Sequence, residues 1–173
     1  GQRVGGMGER ARIAVIGAGW WATEVHIPTL LANADAELVA LVDTNPAKLA
    51  SAMEHYGLPS GYTSVQALLD SEQLDGALVV TNHATHFEVA RQCLAHDLHV
   101  LVEKPLVLYA DHGRQLVELA RTHQRALIAG FPFNYMPFLP QAIELLHSGE
   151  LGALQAINCQ YNSNILGFLQ GQD

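Results

Sequence analysis

Three groups of residues in this chain have types and spacings suited to chemistry. The first is the stretch RIAVIGAGWWA, Arg12 to Ala22, where an apolar β-type run breaks at Gly17 and Gly19 and passes into a helical pattern. Gly17 permits a tight turn out of a strand. Gly19, lacking a Cβ, lets a pyrophosphate approach backbone N–H groups at the start of a helix, whose dipole favours anions. Ala22 holds the third fingerprint position, where a small residue allows close helix–strand packing. The second group is Asp43, which ends the apolar run Glu37 to Val42 roughly 20 residues beyond that fingerprint, the place for a carboxylate accepting hydrogen bonds from a ribose 2′-OH. No Arg or Lys follows before Lys48, so nothing neutralises a 2′-phosphate, and the pattern favours NAD over NADP. The competing readings are an ordinary strand-to-helix turn for the glycines and a turn or capping role for Asp43, although Thr44-Asn45-Pro46 would cap a helix without it.

The third group is HVLVEKP, His99 to Pro105, an apolar run that delivers Glu103, Lys104 and Pro105 to the carboxyl end of a strand, where open α/β sheets bind ligands. An amine in a partly dehydrated cleft beside a nicotinamide can exchange a proton with a substrate hydroxyl. Taken alone, EKP reads equally as a surface lysine after a strand.

The elements that must position these groups alternate along the chain. Helices are expected over Trp20–Leu31, with Pro28 tightening or kinking the end, and over Ala47–Tyr56, with Asn45 as cap, Pro46 at the first position and Gly57 as stop. Further helices follow at Val65–Asp70, His86–His96 and Asp111–His123, and strands at Gly61–Thr63, Ala77–Val80, His99–Val102 and Ala126–Ala129. Ala77 to Val80 is apolar throughout, as parallel sheets buried on both faces require. The alternation predicts an α/β fold with a doubly wound parallel sheet over residues 11–130. Residues 1–10 read as a flexible arm, and 131–173 as a seam opening a second, truncated α+β domain. In that part a helix is expected over Pro140–His147 and a strand over Leu154–Tyr161. Unpaired, that strand would be free to join another copy, so a homo-oligomer is expected.

Composition narrows the class. The 173 residues are 49% hydrophobic and 15% charged, with a formal charge of −8 from 9 Lys and Arg against 17 Asp and Glu. Without a basic run, nucleic acid and anionic membrane are disfavoured as partners. Cys93 and Cys159 stand far apart without a CxxC pattern, which suits free buried thiols and a cytoplasmic setting. His83 with His86, and Cys93 with His96, have helical spacing but no further ligands at zinc-type intervals, so no metal is expected.

Taken in order, GAGWWATEVHIPTL, LVDTN, VVTNHATHFEVA, LVEKP and GFPFNYMPF with HSGELGALQAI resemble the Gfo/Idh/MocA oxidoreductases, over about Ala11 to Asn162. The resemblance implies a Rossmann domain and a second domain carrying an open antiparallel sheet. It also implies NAD or NADP as cofactor and a reaction at a hydroxyl of a sugar, cyclitol or related polyol. Gly17, Ala18, Gly19, Trp20 and Trp21 would form the pyrophosphate turn, and Asp43 would take the adenosine ribose. Thr81, Asn82 and His86 would lie beside the cofactor. Glu103 would face the nicotinamide ribose, and Lys104 would be the catalytic or substrate-orienting lysine. A cis bond before Pro105 would aim that lysine, and Asn134 and Tyr135 would line the substrate side. Asn82 departs from the family's usual proline, and the DxxxH pair of the family's second domain is not reached. A non-catalytic NAD-binding regulatory or scaffold homologue therefore stands as the alternative. A methyltransferase pocket built on Gly17, Gly19 and Asp43 is disfavoured by EKP.

Overall fold

A computed structural model describes residues 10–160. Six parallel strands, β1 (Ala11–Ile16), β2 (Ala36–Val42), β3 (Ser60–Tyr62), β4 (Gly76–Val79), β5 (His99–Glu103) and β6 (Leu127–Gly130), form one sheet in the order β3-β2-β1-β4-β5-β6. The inner strands are apolar on both sides because both sides are covered. Val15 packs with Ala22, Ile27, Leu49 and Ala52 on one face, while Ala14 and Ile16 pack with Leu68, Ala90, Cys93, Leu94 and Leu116 on the other. The expected doubly wound α/β sheet is therefore the one formed. Strand order reverses at β1, so the connections leaving β1 and β4 diverge to opposite faces and open a crevice at their carboxyl ends.

The helices are α1 (Ile27–Ala32), α2 (Pro46–Tyr56), α3 (Val65–Ser71), α4 (His86–Ala95), α5 (Ala110–Thr122) and α6 (Phe138–His147). Helix α2 begins where expected, because Asn45 Oδ1 accepts from the N–H groups of Ala47 and Lys48 and Pro46 needs no donor. Gly57, at φ +63°, ends it.

The first helical segment differs from the regular helix expected over Trp20–Leu31. Residues Ala22–His26 are π-helical, with the Ile27 N–H reaching back to Ala22 O. Pro28 explains the change, since its ring crowds the carbonyl four residues earlier and it has no N–H to donate. The wider turn leaves the Thr23 carbonyl facing a proline nitrogen, and the Tyr56 hydroxyl donates to that carbonyl at 2.6 Å instead.

The chain divides into two compact units after Gly130. In the second, a 3-10 turn at Pro132–Tyr135 precedes α6. Leu154 to Gln160 is not a strand, contrary to expectation, and Tyr161 lies outside the described residues. An alternating pattern becomes a strand only when a neighbour supplies a ladder, and among the described residues none pairs with this segment. No helix among the described residues is long and apolar enough to cross a membrane.

Two outcomes check this packing. Asn45→Ala should cost about 1 kcal/mol of unfolding free energy in urea, through loss of the α2 cap. Of the two thiols expected to be buried, Cys159 is exposed, on a segment that joins no strand, whereas Cys93 is fully buried and burial pushes its thiol up to about 12. Iodoacetamide should therefore leave Cys93 unmodified in the folded protein and label it only after unfolding, as peptide mapping would show.

Candidate functional site

The register of the four inner strands aligns their carboxyl ends. Ile16 lies opposite both Val42 and Val79, and Val79 lies opposite Val102. The segments that follow, beginning at Gly17, Asp43, Val80 and Lys104, therefore leave the sheet along one rim.

At the centre of that rim the chain turns at Gly17, where φ is +108° and a Cβ would sit 2.4 Å from the Val80 carbonyl oxygen. Gly17 N–H donates to Val42 O at 2.7 Å and Val80 N–H donates to Ile16 O at 2.8 Å, so the turn is stitched to both neighbouring strands. Gly19 has nothing within 4 Å of the place a Cβ would occupy. Among the described residues the N–H groups of Gly19 and Trp20 donate to no protein acceptor. Open space over unused donors at the start of a helix fits a pyrophosphate.

Asp43 is tied into the same turn. Its Oδ2 accepts from the Ala18 N–H at 2.8 Å and its Oδ1 from the Asn45 N–H at 2.7 Å. A carboxylate has about four acceptor positions, so two remain for ribose hydroxyls. The turn role and the ribose role, alternatives from sequence, are compatible in this geometry.

Past β4, Thr81 to Thr85 form a turn into α4. Thr85 Oγ1 lies 2.8 Å from Thr81 Oγ1, and the Asn82 carbonyl accepts from both the Thr85 N–H and its hydroxyl. His86, read from sequence as either a cofactor-side or a packing residue, is 1% exposed and packs. One ring nitrogen lies 2.8 Å from Pro105 O and the other 3.0 Å from Thr81 O. The ring thus holds the turn after β4 against the segment after β5, with neither nitrogen facing open space.

Glu103 ends β5 with three donors on its carboxylate. Trp21 Nε1–H lies 2.9 Å and His26 Nε2 2.8 Å from Oε1, while the Lys104 N–H donates to Oε2 at 3.0 Å. Burial would raise its pKa, but the hydrogen bonds from His26, the Lys104 N–H and Trp21, with the His26 charge, together hold it below the usual carboxylate range. Lys104 itself is exposed and the Lys104–Pro105 bond is cis. Trp20, 58% exposed, tilts against Trp21 with ring centroids 5.5 Å apart.

Gly17, Ala18, Gly19, Trp20, Trp21, Asp43, Thr81, Asn82, Glu103 and Lys104 therefore gather at one end of the sheet. Asn134 and Tyr135 belong to the second unit, on its 3-10 turn, with Tyr135 79% exposed. Sequence reasoning misses His26 and Tyr56. Pro28 signals that the helix is interrupted, but not that Glu103 meets His26 or that Tyr56 reaches Thr23. Among the described residues no three His, Cys, Asp or Glu side chains come together as metal ligands.

Comparison with known proteins identifies the family. The oxidoreductase family Gfo/Idh/MocA, described by its NAD-binding Rossmann fold, matches residues 11–131. The chain is similar to a putative UDP-kanosamine synthase oxidoreductase subunit of Amycolatopsis mediterranei, 38% identical over 84% of this chain and 37% of that protein. It is also similar to the D-glucoside 3-dehydrogenase of Escherichia coli, 29% identical over 83% of this chain and 41% of that protein. Among solved structures, myo-inositol 2-dehydrogenase from Lactobacillus plantarum shares the fold with a TM-score of 0.77, at 24% identity, over 84% of this chain and 43% of that one. The chain thus spans less than half the length of each of these relatives. With its sheet order, its glycine turn and a family match over most of its length, the chain belongs to the Gfo/Idh/MocA oxidoreductases and is built on their NAD-binding Rossmann fold.

Proposed function

We infer that this chain binds NAD in preference to NADP and serves an oxidoreductase acting at a hydroxyl or carbonyl carbon of a sugar, cyclitol or related polyol. The observation that carries this reading is the convergence of the Gly17 turn, the Asp43 carboxylate and Lys104 on one rim, at the point where strand order reverses. Open parallel sheets take their ligands there.

Each residue has a role that its surroundings support. Gly19 and Trp20 N–H groups receive the pyrophosphate, and Asp43 accepts from the adenosine ribose while holding Ala18. That carboxylate is kept in place by two backbone donors. A 2′-phosphate would meet a fixed like charge there, and no cation lies between Asp43 and Lys48 in sequence to offset it. The nicotinamide, when bound, supplies the hydride acceptor or donor. Lys104, just past the end of β5, exchanges a proton with the substrate hydroxyl.

Calorimetric titration tests the cofactor assignment. Wild type should bind NAD more tightly than NADP, and Asp43→Ala should lose about tenfold in NAD affinity, or about 1.4 kcal/mol, narrowing the difference between the two. Equal affinities throughout would remove the ribose assignment. In a full-length protein carrying this chain, Lys104→Ala should keep NAD affinity within about twofold while turnover on a panel of sugars and cyclitols falls by about a hundredfold or more. Unchanged turnover would defeat the proton-transfer role. A full-length protein carrying this chain that binds NAD but reduces none of it with any substrate would favour the non-catalytic alternative.

A further inference from the structure

We propose that His26 is a positioning residue of the dinucleotide site, acting through Glu103 to lock the segment that leaves the glycine turn onto the strand end that carries Lys104. The proposal rests on the dinucleotide reading above and adds a residue that reading does not use.

The geometry is that of a built contact. The side chains of His26 and Glu103 are 16% and 12% exposed and meet at 2.8 Å. A partly buried carboxylate needs compensating donors. Glu103 has His26 and Trp21 on Oε1 and the backbone N–H of its own neighbour, Lys104, on Oε2. With three donors engaged, the carboxylate is committed mainly to protein groups. It fixes the Lys104 backbone directly, and His26 and Trp21 fix its orientation.

Two further features make room for this arrangement. The π-helical turn at Ala22–His26 sets the position of His26 on the segment after Gly19. At the end of β6, a Cβ on Gly130 would stand 3.1 Å from Glu103 Oε1, so only a residue without a side chain leaves the carboxylate unhindered. The segments linked are distant in sequence, His26 and Glu103 being 77 residues apart. One end of the link governs where a pyrophosphate sits and the other where the amine is presented. Displacing either carries the other with it, so the distance between cofactor and lysine is held by this contact as well as by the sheet.

A merely stabilising ion pair would change unfolding free energy and nothing local. The decisive measurements are therefore NADH affinity by fluorescence titration and the hydrogen-exchange rate of the Lys104 amide by NMR, each in wild type, His26→Ala and His26→Gln. Glutamine places a donor where Nε2 stands in histidine and so tests rescue. His26→Ala should weaken NADH binding about tenfold and speed Lys104 amide exchange by a similar factor, and His26→Gln should bring both within about threefold of wild type. Wild-type values for both in His26→Ala, or no recovery in His26→Gln, would overturn the proposal. If His26→Ala does not fold, His26→Asn keeps a polar side chain too short to reach Oε1, and unchanged exchange and affinity in that variant would overturn it equally. Wild-type protein that binds no NADH would refute the dinucleotide reading instead, while the amide-exchange comparison would still decide the role of His26.

Discussion

The carbonyl oxygen of Val80 and the α-carbon of Gly17 approach so closely that the smallest side chain would stand 2.4 Å from that oxygen. This contact sets how the two strands on either side of the crevice end. Because it exists, β1 can turn sharply at φ +108° while still bonding to β2 through Val42 and to β4 through Ile16. The following residues then present bare N–H groups to the crevice rather than to protein. A methyl group there would have to push the two strand ends apart, and with them the groups carried by β2 and β5.

The two acids at the rim share an economy of use. Asp43 and Glu103 each spend acceptor positions on backbone N–H groups of the segments they must hold, Ala18 and Asn45 for one and Lys104 for the other. Such charge-assisted bonds are stronger than neutral ones and fix the carboxylate's direction as well as its position. His86 does comparable work from below, with its ring between the carbonyls of Thr81 and Pro105. Side chains that read as ligands along the chain thus serve partly as fasteners between loops.

Much of this was legible from local pattern, because the signals were local. Asn45, Pro46 and Gly57 bound α2 through chemistry confined to a few neighbouring residues. The apolar runs of β1, β2, β4 and β5 needed only their own composition. The glycine turn, Asp43 and Lys104 were visible from spacing, and so was their gathering at one end of the sheet. What escaped depends on contacts between distant residues. His26 gives no sign in sequence that Glu103 awaits it, and the π-helical turn follows from Pro28 together with a hydroxyl from Tyr56 on another helix. The buried position of His86 is set by two loops that spacing cannot bring together. Leu154 to Gln160 alternates as a strand should, but alternation describes one side of a ladder and says nothing of the other.

The pairing of β1 with β4 sets an order of assembly. Ile13 lies opposite Gly76, and the peptide groups that close the glycine bend come from Val80. A ribosome releases β1, β2 and β3 before any of these partners emerge, so during synthesis the bend waits without one of its walls. Its final shape is reached only when the middle of the sheet closes, which makes the bend a late product of folding even though Gly17 and Gly19 precede β4 by more than fifty residues.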